Sequence, residues 1–155
     1  MVRRTASGKI MYTEEQLKIG VALRATAFLP VGLLLHLVKN HTLKTFSIIF
    51  LHADFEDFEN FLHEQKRDTD LLYTIDQERH RNLLLCQETH VDGGVYFMRR
   101  LEERLREHTP QKIKAAVVGV ETLEYSVDDL LYFVMDNYVK LSQEGAKNII
   151  YRTIR

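Results

Sequence analysis

Cysteine is almost missing from this chain: Cys86 is the only one in 155 residues. One thiol cannot make an intrachain disulfide, so a disulfide framework is excluded and the usage fits a reducing compartment. Lying in an apolar run, Cys86 reads as a small core residue. Neither sign of charge is in excess. There are 21 Lys and Arg against 22 Asp and Glu, a net charge of -1, which provides no basic field for a nucleic-acid backbone. A long hydrophobic run is also lacking. The most apolar stretch, 27–38, is about a dozen residues interrupted by Pro30 and His36, short of the roughly 20 that span a bilayer. The segment is therefore expected to make no membrane contact of its own. With no secretory leader, internal repeat or low-complexity tract, the expected location is cytoplasmic, free or as the cytoplasmic part of a membrane-anchored parent.

What is present is a globular balance, 45% hydrophobic and 28% charged, in a chain long enough to bury one core. Residues 1–9 are short, basic and unpatterned, and read as a frayed or non-native end. Thr13-Glu14-Glu15-Gln16 is a capping-box pattern that starts a leader helix running through Leu17, Ile19, Val21 and Leu23 to about Ala27. Pro30 then opens a second helix carrying Leu33, Leu34, Leu37 and Val38. The reading divides the chain into a tail and leader helix over 1–28 and a domain over 29–155. Residues 45–51 form a continuous apolar strand, covered on both faces. A helix over 55–66, a strand ending at Ile75, a polar turn over 76–81 and a strand over 82–88 follow. Gly93 and Gly94 read as loop and helix entry, with the helix over 95–108. A strand over 112–120, a helix capped by Ser126 and Asp129, Gly145 as its end and an edge strand over 148–152 complete the order. The centre is strand-helix-strand-strand-helix-strand. That pattern is the split βαβ of an α+β, ferredoxin-like fold with a mainly antiparallel mixed sheet and helices packed mostly on one face.

The chemistry-bearing stretch is Arg67-Asp68-Thr69-Asp70, at the helix-to-strand junction. An Arg and an Asp three apart can present a guanidinium and a carboxylate on one side. Together they complement a guanine, Arg donating to O6 and N7 and the carboxylate accepting from N1 and N2. At the end of the first long strand, His52, Asp54 and Glu56 admit a weak metal reading. Magnesium prefers carboxylate oxygens to imidazole, so they read instead as solvated residues at a strand end.

These residues resemble the GGDEF domain family, the diguanylate cyclases and their inactive relatives. In that family an Arg-x-x-Asp motif sits five residues before the glycines of the signature hairpin and is the inhibitory or receptor site for cyclic di-GMP. Here Arg67 and Asp70 are followed by five residues, 71–75, and then the turn. The turn is Asp76-Gln77-Glu78-Arg79-His80-Arg81 where the family has Gly-Gly-Asp/Glu-Glu-Phe. Of the family's Leu-Thr-Gly-Leu-Pro-Asn-Arg only Leu29-Pro30 remains. His52-Ala53-Asp54 stands where active relatives carry a metal-binding Asp, and the guanine-reading segment of active members is missing between Asp54 and Arg67. Glu102-Glu103-Arg104-Leu105-Arg106 is similar to the family's Ala-Glu-Arg-Ile-Arg.

The resemblance implies a palm-type cyclase fold with a degenerate signature, closest in pattern to the PelD-type receptor domains. It implies no enzyme activity, no cofactor or metal, and cyclic di-GMP as ligand, bound by Arg67 and Asp70 with Arg104 as a second cation and Arg100 one turn before it. Expected partners are a homodimer or a signalling or export protein, with exopolysaccharide or biofilm output. The alternative reading is an interaction or dimerisation module that binds no nucleotide, in which Arg67 and Asp70 form a surface ion pair worth little.

Overall fold

In a computed structural model, residues 3–4, 10–143 and 148–155 are described. Two short strands, β1 (Arg3–Arg4) and β2 (Ile10–Met11), pair antiparallel ahead of the main body. The rest runs α1 (Glu14–Lys39), β3 (Phe46–His52), α2 (Phe58–Gln65), β4 (Asp70–Asp76), β5 (Arg81–Gln87), α3 (Val91–Leu105), β6 (Lys114–Val120), α4 (Val127–Gln143) and β7 (Ile149–Ile154). Gly145 lies outside the described residues.

The sheet order is β4-β5-β3-β6-β7. β3 pairs antiparallel with β5 and β6, β4 antiparallel with β5, and β7 parallel with β6. β3, β5 and β6 are buried nearly end to end. Strands apolar on both sides must be covered on both. Accordingly α1 and α4 close one face over Phe46, Ile48, Phe50, Leu83, Leu85 and Val118. On the opposite face α2 and α3 close over Ile49, Leu51, Leu84, Cys86 and Val117. The α+β fold and the mainly antiparallel mixed sheet are as expected from sequence. The helices, however, are shared two to a face rather than packed mostly on one.

Two further expectations are corrected. The two N-terminal helices are one: α1 passes through Pro30 without a break. Its inner stripe, Ile19, Leu23, Ala27, Val31 and Leu34, continues on one side across the proline, so packing holds the helix together where proline withholds one hydrogen bond. The continuous helix is, by length and composition alone, long and apolar enough to cross a membrane, which the interrupted run did not suggest. Second, α3 begins at Val91, so Gly93 and Gly94 lie inside it. A Cβ on Gly94 would sit 2.9 Å from Val117 Cγ1, and one on Gly119 would sit 2.9 Å from Val91 Cβ. These glycines let α3 approach β6 closely; they are packing positions.

The caps behave as the local sequence dictates. Thr13 Oγ1 accepts from the Gln16 N–H at 3.2 Å while Gln16 Oε1 accepts from the Thr13 N–H at 2.9 Å. Ser126 and Asp129 make the same reciprocal pair at the start of α4.

Candidate ligand-binding site

α2 stops at Gln65, and the next residue, Lys66, is extended. A tight turn follows, closed by the Asp70 N–H donating to the Arg67 carbonyl at 3.0 Å. The turn folds the Asp70 side chain back onto Arg67. Oδ2 accepts from the Arg67 backbone N–H at 2.9 Å, and Oδ1 accepts from Nε at 3.1 Å and Nη2 at 2.8 Å. Nη2 also donates to the Gln87 carbonyl at 3.1 Å and to Thr89 Oγ1 at 2.6 Å, at the end of β5. Gln87 Nε2 returns a bond to the Thr69 carbonyl at 2.8 Å. The motif and the strand end are stitched together from both sides.

The pair is asymmetric. The Asp70 side chain is wholly closed from solvent, while that of Arg67 is 51% exposed. It is therefore not the solvent-exposed surface bridge of the alternative reading. The bond to Asp70 raises the Arg67 pKa further against the lowering effect of burial, and Arg67 stays a cation. The bonds to Asp70, Gln87 and Thr89 use Nε and Nη2 and leave Nη1 out. A forked contact to a guanine edge needs two parallel N–H groups, so Nη2 must yield its bond to Thr89 or Gln87 for Arg67 to make one. Asp70 spends both oxygens on Arg67 and acts on a ligand through the guanidinium that it holds. Opposite Asp70 in the ladder stands Cys86, buried, its thiol pKa raised by burial and then by the Asp70 charge. Gln87 and Thr89 escaped the sequence reading. Their signal is a pair of polar residues closing an otherwise apolar strand.

Arg104 reaches this region, its Nη1 bonded to Gln65 Oε1 at the end of α2, two residues before Arg67. Arg100 is not drawn into this corner. Its guanidinium lies 5.7 Å from the ring centroids of Tyr96 and Phe97 on its own helix.

The hairpin end of the sheet is a second polar cluster. His80 adopts φ 54°, in the left-handed region, and its Nδ1 lies 2.9 Å from Glu59 Oε1. Arg81 Nε donates to Tyr138 Oη at 3.1 Å and Arg81 Nη1 to Asp76 at 2.9 Å. Tyr138 Oη lies 2.6 Å from His52 Nδ1. His52 is thus tied into the sheet end rather than solvated. Burial, then the charges of Arg81 and Lys114, pull its pKa from 6.5 to about 4. Those two cations are its ladder neighbours on either side. A magnesium site needs hard anionic oxygens, and an imidazole flanked by two cations does not fit one. Among the described residues no three His, Cys, Asp or Glu converge as a metal site.

No family model matches this chain, and no curated protein matches it in sequence. Solved structures do match in fold. The diguanylate cyclase SiaD from Pseudomonas aeruginosa, solved with its activator SiaC, has a TM-score of 0.66 at 10% identity, covering 83% of this chain and 58% of its own. The chain thus spans little more than half of that protein. The active GGEEF domain of a diguanylate cyclase from Vibrio cholerae has a TM-score of 0.63 at 12% identity, over 79% of this chain and 90% of that one. The GGDEF domain of DgcB from Caulobacter crescentus, solved in complex with c-di-GMP, has a TM-score of 0.61 at 5% identity, over 76% and 83%. At these identities the likeness is one of fold: the palm-type fold expected from sequence is the fold of these cyclase domains.

Proposed function

We propose that this chain is a degenerate GGDEF-like receptor domain, of the PelD type, that binds cyclic di-GMP at the Arg67 corner and has no cyclase activity. The observation that carries the reading is the Arg67 guanidinium, half exposed yet held at three of its N–H groups by Asp70, Gln87 and Thr89. A cation fixed in orientation loses little freedom on meeting a planar acceptor edge. Arg67 grips a guanine edge, Asp70 sets its orientation and takes up guanine N–H groups only if Arg67 swings out, and Arg104 supplies the second cation. Arg100, stacked on its own helix, contributes at most through the field. The fold supports the ligand class, since one domain of the same fold is solved with c-di-GMP. The want of activity rests on the hairpin, which has no glycine, and on the strand end, where His52 between two cations replaces a carboxylate. The domain is expected to work in the cytoplasm, relaying ligand binding to a partner protein.

Calorimetry with cyclic di-GMP tests this. Arg67→Ala is expected to weaken binding by about one to two decades, the share of a forked Arg contact worth roughly 1–3 kcal/mol. Arg67→Lys should lose nearly as much, because an ammonium keeps the charge but cannot fork, and Arg104→Ala should lose less. No product should form from GTP with Mg²⁺ or Mn²⁺. A flat titration of the parent, or Arg67→Lys binding like the parent, sinks the guanine-edge reading. A second reading, a protein-interaction module, is favoured by one observation, the exposed apolar residues of α1, with Val21 at 71% and Leu29 at 80%. It is the outcome if the titration is flat.

A further inference from the structure

β7 has β6 on one side and, among the described residues, no strand on the other. The parallel ladder with β6 draws on alternate residues: the Asn148 carbonyl accepts from the Ala115 N–H at 2.8 Å and the Ile154 carbonyl from the Glu121 N–H at 2.9 Å. The same alternation turns the N–H and C=O groups of Ile149, Tyr151 and Thr153 outward. Among the described residues nothing bonds them. Such an edge is ordinarily blunted by a charge, a proline or a covering element. Here Tyr151 is 59% exposed, and Arg152 is drawn to the other face, 4.3 Å above the Phe133 ring. A groove of about 780 Å³ runs beside the edge, walled by Arg99, Glu102 and Glu103 of α3 and by Arg106 just past its end. Its two positive and two negative side chains leave no net field against a second copy.

We propose that β7 is a self-pairing edge, along which two copies of this chain join antiparallel, centred on Tyr151, into one continuous sheet. The occupant follows from the strand's own sequence. Centring on Tyr151 is the register in which all three outward residues find partners, Tyr151 against its counterpart and Ile149 against Thr153. Each of these pairs exchanges an N–H and a C=O. On the α3 side this sets tyrosine against tyrosine, a favourable cross-strand pair, and isoleucine against threonine, two β-branched residues suited to a strand. On the other face Arg152 falls opposite Ile150 rather than opposite the other Arg152, so no like charges meet. A two-fold interface requires this self-complementarity, and a register shifted by one position on each strand toward the C-terminus would bring the two Arg152 together. The proposal does not rest on the ligand reading.

Light scattering across a concentration series, without nucleotide, gives the first readout: mass should rise from one chain to two. Tyr151→Pro removes an outward N–H and keeps the ladder with β6, so it should halve that mass while the circular dichroism is unchanged. Tyr151→Cys gives a second readout that does not burden folding. Residues opposite one another in a hydrogen-bonded antiparallel pair stand about 5.5 Å apart, within disulfide reach. Mild oxidation should therefore link the Tyr151→Cys protein into dimers, whereas Leu29→Cys on α1 should not link. A monomer at every concentration overturns the proposal. So does a dimer whose mass survives Tyr151→Pro, or linkage by Leu29→Cys in place of Tyr151→Cys.

Discussion

Arg67 and Asp70 are bonded to each other, but one is open to water and the other is not, and that asymmetry sets what each substitution costs. Arg67→Ala strands a carboxylate whose side chain has no exposed surface, leaving it a backbone N–H at 2.9 Å and the Cys86 thiol. Breaking a buried pair in this way costs roughly 3 kcal/mol. Asp70→Ala leaves a guanidinium that can turn to water, and the expected loss is about 1–2 kcal/mol. The double variant should be less destabilised than the sum, a coupling that urea unfolding of the four proteins would measure. If both single variants unfold like the parent, the pair is not buried as described. His52 gives a pH signature. Its pKa is lowered from 6.5 to about 4, so the unfolded chain binds the extra proton first as pH falls. Stability is then unaffected by His52 above about pH 6.5 and falls progressively from there toward pH 4, by on the order of 3 kcal/mol in all. His52→Asn should flatten that part of the unfolding-versus-pH curve. An unchanged slope would mean that the imidazole is not held neutral by the fold.

Between elements, the glycines decide how closely α3 meets β6. At Gly119 an added Cβ meets the backbone of α3 as well as a side chain, with Val91 N at 3.0 Å and Cα at 3.2 Å. Backbone cannot step aside cheaply, so Gly119→Ala should cost about 1–3 kcal/mol by overpacking. Gly32 in α1 is the opposite case. Its Cβ would make an ordinary 3.6 Å contact with Val127 Cγ2. Gly32→Ala should therefore stabilise by up to about 1 kcal/mol through helix propensity. Thermal unfolding of the two variants should move the melting temperature in opposite directions. Equal shifts would mean that Gly119 is not at a close approach.

At the scale of the molecule, α1 belongs to the core of one face. Leu23 and Ala27 are fully buried there and Ile19 nearly so, and Arg24 reaches Asp128 of α4 at 2.7 Å. The division at residue 28 falls inside this helix. A chain of residues 29–155 would take Ile19, Leu23 and Ala27 out of the cluster they share with Leu130, Leu131 and Val134 of α4, losing three buried side chains at about 1.5–3 kcal/mol for each large one. Against typical stabilities of about 5–15 kcal/mol, that shorter chain should fail to unfold cooperatively in urea. A normal cooperative transition would make the first half of α1 a detachable leader after all.

Local patterns were sufficient for much of this. The capping box at Thr13, the pair Ser126 and Asp129, the apolar strand over 45–51 and the split βαβ order depend on residues near one another in the chain, and each came out as read, the strand within one residue at either end. So did the place of Arg67 and Asp70 at the helix-to-strand junction, since spacing alone puts them there. Tertiary contacts decided the rest. Pro30 and the glycines of α3 are breakers in isolation, and only the packing of α1 on the sheet and of α3 on Val117 makes them helical. Asp70 looks like any acidic turn residue until β5 is brought alongside from more than ten positions away, setting Cys86 opposite Asp70 while Gln87 and, past the strand's end, Thr89 hold Arg67. The neutral state of His52 likewise comes from its burial and then from the cations of two neighbouring strands. Burial and charge are sums over whatever the fold brings near, and no stretch of sequence carries that sum by itself.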